Sequence, residues 1–136
     1  MKKFQLIKGN WIVKKTINKN ISIEGCCHIK NISKCFYELK EFTVTNFNNK
    51  LIPGHQKYKI FESKNNITFY LDTVRNKDKH LYKFNKNKFY KSIFFCKKDI
   101  YLANFNILTK NFFTIYTKIK GPKKNLSIFA KYYRSI

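Results

Sequence analysis

Apolar and polar residues alternate along most of this chain. The pattern opens with "NWIVKKTI" (10–17) and continues in "NISIEG" (20–25), "EFTVTNF" (41–47), "QKYKIFES" (56–63) and "ITFYLDTV" (67–74). It then runs through "HLYKFN" (80–85), "KFYKSIFFC" (88–96), "IYLANFNIL" (100–108), "FFTIYTKI" (112–119) and "LSIFAKYY" (126–133). A period of two in segments rich in Ile, Val, Phe, Tyr and Thr is the mark of half-buried strands. The segments between them, such as "NKN", "NNK", "KNN", "RNKDK", "NKNK" and "KGPKKN", carry Asn, Asp and Gly. These residues tolerate the positive backbone angles of tight hairpins. Pro53-Gly54 and Gly121-Pro122 read as the two sharper breaks. No helical period of useful length appears; residues 2–8 and 31–39 are expected to form one short turn each. About ten short strands at hairpin spacing predict an all-β, up-and-down antiparallel barrel spanning residues 1–136 as one domain. Closure would also remove the exposed edges that a lysine-rich sheet must otherwise protect.

Charge changes the picture next. The formal net charge is +22, and lysine outnumbers arginine 27 to 2. An acidic or polyanionic partner follows from the charge alone. Nucleic-acid sites, however, favour the bidentate fork of arginine, which is nearly absent. Lys, Asn, Ile and Phe make up more than half of the chain, and all have AT-rich codons, so genomic bias accounts for much of the lysine. No apolar run approaches the ~20 residues of a membrane helix, and no leader pattern precedes the first alternation. Neither nucleic acid nor a membrane is therefore an expected partner. Cys26, Cys27, Cys35 and Cys96 include no CxxC pair, and His28, His55 and His80 are scattered. Free thiols in a reducing compartment are expected, and no metal site.

The only tryptophan, Trp11, follows Gly9 on the first strand. Gly-x-Trp in this place resembles the opening of lipocalins and fatty-acid-binding proteins, whose indole closes the barrel floor. A closer resemblance covers three blocks. "GNWIVKKT" is similar to the Gly-x-Trp-x-Ser-x-Arg-Thr opening of the S-type phycobiliprotein lyases (CpcS/CpeS-like), with Gly9, Trp11 and Thr16 in agreement and Lys15 for arginine. "IYLANFNILTK" (100–110) resembles the family stretch Ile/Leu-Trp-Phe-Ala-Ser/Asn-Pro-Asn-Leu-Arg-Leu-Arg. There Ala103, Asn104 and Asn106 agree, Tyr101 takes the tryptophan place and Lys110 the last arginine. "SIFAKYYRSI" (127–136) resembles the closing strand, with Arg134 on its arginine.

This resemblance implies a lipocalin-like barrel that binds a linear tetrapyrrole, a phycobilin, and attaches it to a cysteine of an acidic apo-phycobiliprotein subunit. It implies no metal or organic cofactor, since the phycobilin is the substrate, and a plastid (chloroplast stroma) location. A homodimer is left open. Trp11, Lys15, Tyr101, Asn106, Lys110 and Arg134 are the expected bilin-binding residues, and Asp99 the expected acid. The family's acidic positions fall on Lys97 and Lys98 here, and its first arginine on Leu108. Asp99 lies one place later, so it reaches the pocket only if the strand resets its register at Lys97-Lys98. Asp99 working with Lys110 is then one way to replace the missing acid–arginine pair. A noncatalytic bilin- or lipid-carrying barrel is the first alternative, and a basic nucleic-acid-binding barrel the second.

Overall fold

Alternation becomes strand throughout the structure, a computed structural model that describes residues 3–72 and 79–135. A 3-10 segment, Lys3–Ile7, leads into ten strands: β1 (Gly9–Ile17), β2 (Ile21–Ser33), β3 (Phe36–Phe47), β4 (Lys50–Glu62), β5 (Asn66–Leu71), β6 (Lys79–Asn85), β7 (Lys91–Cys96), β8 (Asp99–Thr109), β9 (Phe112–Lys120) and β10 (Asn125–Arg134). Each pairs antiparallel with its sequence neighbour, and β1 pairs with β10, so the sheet closes as an up-and-down barrel. The expected all-β, ten-stranded antiparallel barrel is what the chain forms.

Turns 18–20 and 48–49 obey the chemistry read from the sequence. Asn18 and Lys19, and Asn48 and Asn49, take positive φ at hairpin ends. Three sequence expectations fail. Residues 88–90, read as the start of strand 88–96, are the end of a 3-10 turn and a left-handed turn at Phe89 and Tyr90, and β7 begins at Lys91. Residues 31–39 form no helical turn. They are the end of β2, a tight turn in which Cys35 has φ 69°, and the start of β3. Asn31 holds that turn by donating to the Ser33 and Phe36 carbonyls. Pro53-Gly54 breaks nothing and continues β4 opposite Val44 and Thr43. Among the described residues β5 pairs with β4 only from Tyr58 to Glu62 and none pairs with Pro53 on that side, so its missing N–H breaks no described ladder bond there. The expected strand 67–74 and turn 75–79 run into residues 73–78, outside the described residues.

The barrel has two unlike halves. Turns 18–20, 48–49, 97–98 and 121–124 cluster at one end, here the upper end. The Lys3–Ile7 segment covers the other. In the lower half Phe4, Ile7, Trp11, Phe69, Phe84, Phe105 and Phe113 are almost fully buried. Phe113 stacks on Tyr132 with ring centres 4.3 Å apart and meets Trp11 edge-on at 4.7 Å. Dense aromatic packing here supplies most of the apolar burial that holds the barrel. The weakest seam joins β6 to β7 through one ladder pair, Asn85 with Lys91, helped by the Lys83 amide donating to Ser92 Oγ.

Candidate functional site

Along β1, Trp11, Val13, Lys15 and Ile17 share the inward face. The first two join the packed core; Lys15 emerges above it. β3 sends Tyr37, Leu39, Glu41 and Thr43 inward by the same alternation. Lys15 and Glu41 thus meet inside the barrel, although they are 26 residues apart, with Nζ 2.5 Å from Oε2. The other carboxylate oxygen accepts from the Tyr132 hydroxyl at 2.8 Å. Glu41 is 2 % exposed and Lys15 18 %.

Above this triad lies a cavity of about 200 Å³. Lys15, Gln56, Tyr58, Tyr82, Thr117 and Tyr132 supply its polar groups, and Leu39, Phe69, Ile115 and Ile128 its apolar wall. Tyr82 and Thr117 hydroxyls are 3.0 Å apart. Burial pushes the hydroxyls of Tyr58, Tyr82 and Tyr132 above the ordinary tyrosine range, and the Glu41 carboxylate adds to all three. These tyrosines therefore remain neutral donors at neutral pH. The Cys27 thiol is pushed up as well, first by burial and then by Glu41, so it is unreactive. An aromatic wall with a carboxylate and an ammonium side by side can hold a flat apolar molecule that carries both hydrogen-bond donors and acceptors.

The sequence-predicted residues divide between this site and elsewhere. Lys15 lines the cavity. Tyr101 faces inward higher on β8, its ring 5.8 Å from Phe94. Trp11 is inside, as expected, but closes the floor: its Nε1 donates to the Ile7 carbonyl at 2.8 Å. Arg134 locks that floor. Its guanidinium lies 4.4 Å from the indole centre and donates to the carbonyls of Leu6, Lys8 and Lys110. Lys110 is an exposed turn residue whose carbonyl serves this clamp. Asn106 faces outward and donates to Asn104 Oδ1. Asp99 shares the inward parity of Tyr101 and Ala103 without any bulge between them, but sits at the upper rim. There it lies 3.6 Å from Lys124 and fills the space a side chain at Gly121 would need. Asp99 and Lys110 stand at opposite ends of β8, roughly 35 Å apart along the chain at the usual strand rise. They form no joint acid–cation pair, which corrects that expectation.

Glu41 and the tyrosines Tyr58, Tyr82 and Tyr132 were missed. A signal existed: Glu41 falls in step with Tyr37 and Leu39. Phe36, Phe42 and Val44 on the alternate positions hid it, because they make the other face of β3 look equally apolar.

Solved structures resemble this fold at low sequence identity. The S-type phycobiliprotein lyase CPES from Guillardia theta matches 100 % of this chain over 94 % of its own, with TM-score 0.70 and 8 % identity. A de novo designed fluorescence-activating β-barrel matches with TM-score 0.61 and 8 % identity, covering 99 % of both chains. A further barrel, EF1p2_mFAP2b bound to DFHBI, matches 97 % of this chain over 96 % of its own at TM-score 0.58 and 12 % identity. At such identities the likeness is one of fold. No curated protein matches the sequence. The sequence model that does match covers residues 7–134, and the chain accordingly belongs to the family of unknown function DUF6314.

Proposed function

We propose that this protein binds a linear tetrapyrrole of the phycobilin class and presents it to a cysteine of an acidic acceptor subunit. One observation carries the reading: a buried carboxylate and an ammonium, Glu41 and Lys15, adjoin inside an aromatic cavity. Pyrrole N–H groups are donors that a desolvated carboxylate accepts well, and a lactam oxygen or propionate takes the ammonium. The cavity is below the roughly 300–1,000 Å³ usual for ligand pockets, so one end of the bilin enters and the rest lies in the mouth beside Tyr101. Attachment adds the acceptor's S–H across the ring A ethylidene, forming a C–S and a C–H bond with no leaving group. The protein's part is to hold the bilin in one shape beside that thiol. The fold shared with the CPES structure supports this reading, and a plastid location is part of the proposal.

A noncatalytic carrier is the second reading. It is favoured by the separation of Asp99 from Lys110 and by Lys97, Lys98 and Leu108, which stand where the resemblance implies an acid–arginine pair. One experiment distinguishes them. The protein is titrated with phycocyanobilin by absorbance, then given candidate apo-subunits, and zinc-enhanced fluorescence is read on a denaturing gel. A red-shifted bound spectrum is expected, weakened by Glu41→Gln. A covalent band on the acceptor supports the lyase, and binding without a band supports the carrier. No spectral change at micromolar bilin rejects both.

A further inference from the structure

We propose that the upper end of the barrel docks on an anionic lipid bilayer, with the β3–β4 hairpin as the inserting element. β3 pairs with β4 over its full length, Phe36 to Phe47, whereas among the described residues the β5 ladder accompanies β4 only from Tyr58 to Glu62. The distal hairpin therefore rises past β5. Its tip is a two-residue turn with Asn48 and Asn49 at φ 50° and 62°, a preformed, tightly twisted geometry. Phe42, Val44 and Leu51 project from its outer face and Phe47 and Ile52 from its inner face, each 44–71 % exposed. From residue 42 to residue 61 there is no acid, and Lys50 stands at the tip.

Two features choose the occupant. A folded protein partner would cover one face of a hairpin; apolar side chains on both faces of a narrow tip match a fluid medium that surrounds it. The other turns at this end carry exposed Lys19, Lys97, Lys98, Lys123 and Lys124. Among the described residues, the acids in the turns and strand ends here, Asp72 and Asp99, are each already within 4 Å of a lysine, Lys57 and Lys124. A cationic ring around an apolar tip is complementary to an anionic headgroup layer over acyl chains. No helix among the described residues is long and apolar enough to cross a membrane, and surface docking needs none. The expectation that a membrane is no partner rested on spanning segments alone.

Flotation of the full chain with vesicles tests this. Phosphatidylcholine vesicles are compared with vesicles holding about 30 mol % phosphatidylglycerol, at about 150 mM salt. Leu51→Asp is compared with Lys88→Gln, which also lowers the net charge by one but lies at the opposite end, and circular dichroism confirms that both fold. We expect binding to the anionic vesicles only, about tenfold or more weaker in Leu51→Asp and within about twofold of the parent in Lys88→Gln. No binding to anionic vesicles overturns the proposal. So does equal binding by the two variants, which marks diffuse charge adsorption. Single-stranded RNA bound at the same salt while vesicles stay free assigns the basic end to nucleic acid and likewise overturns it.

Discussion

Two glutamate–lysine pairs are buried in this barrel, one in each half, and they serve different ends. Glu62 is fully buried in the lower half. One oxygen accepts from the Phe4 amide at 2.9 Å and the other lies 2.6 Å from Lys86 Nζ. Aromatic rings close around it, so the pair ties the Lys3–Ile7 segment to the barrel and has no room to do more. Glu41 makes the same kind of pair with Lys15, but a cavity adjoins it and three tyrosines surround that cavity. The difference lies in the packing around an identical chemical pair. Where every neighbour is side chain, the pair is structural; where one neighbour is open space, its hydrogen-bonding capacity is available to a ligand.

The sharpest way to break this comparison is to delete each acid. Glu62→Ala strands a nearly buried ammonium and an unsatisfied amide, and should cost about 3–5 kcal/mol in urea denaturation. Glu41→Ala should cost about 1–2 kcal/mol, because water in the cavity can reach Lys15. Equal losses would mean that the two halves are energetically alike. Next in size is the floor clamp. Arg134→Lys loses the stack on Trp11 and at least two of the carbonyl contacts, and should cost about 2–3 kcal/mol while the bilin titration stays unchanged. A parallel loss of bilin affinity would show that the floor shapes the site. Glu41→Gln keeps the shape and removes the charge. It should weaken bilin binding about tenfold, the worth of one charge-assisted hydrogen bond, with little change in melting temperature.

The smallest effect is in pH. Tyr58, Tyr82 and Tyr132 hold their protons more tightly folded than unfolded, where the value is 10.0, chiefly because they are buried. Their contribution is complete below pH 10 and is lost as pH rises above it. The melting temperature should therefore fall from about pH 10 upward, and less steeply in Tyr132→Phe. An identical slope in that variant would place the alkaline transition elsewhere, with the Tyr37 hydroxyl of the lower half as the next group to replace.

Much of the fold was legible because strand alternation and turn chemistry are local. Asn and Lys at hairpin ends, and the inward parity of Trp11, Val13 and Lys15, could be read directly. The site was less legible. Resemblance pointed to Asn106, Lys110 and Arg134, but two of these serve the floor or its turn and one faces outward. Arg134 looked like a ligand group because a charged side chain near a chain end carries no sign of the carbonyls that will surround it. Glu41 was hidden because an acid in a strand normally faces water, and only the successive pairing of β3 with β2, β2 with β1 and β1 with β10 brings Lys15 and Tyr132 to it. Pro53-Gly54 misled for a similar reason: whether a proline interrupts a strand depends on what pairs with it on the side of its missing N–H.

The pairing of β1 with β10 also sets an order of events during synthesis. Trp11 lies opposite Arg134, so β1, made before the other nine strands, waits for β10 before its outer edge is covered. Until then the nascent chain is a growing meander with one permanently open side, displaying the inner faces of its strands and inviting intermolecular pairing. Hairpins can form as they emerge, but the closure is the longest-range strand pairing in the barrel and the slowest to search for. A chain so rich in lysine repels its own copies over this interval, and its charge can therefore act as a solubility device for the unfinished barrel before it serves the finished one.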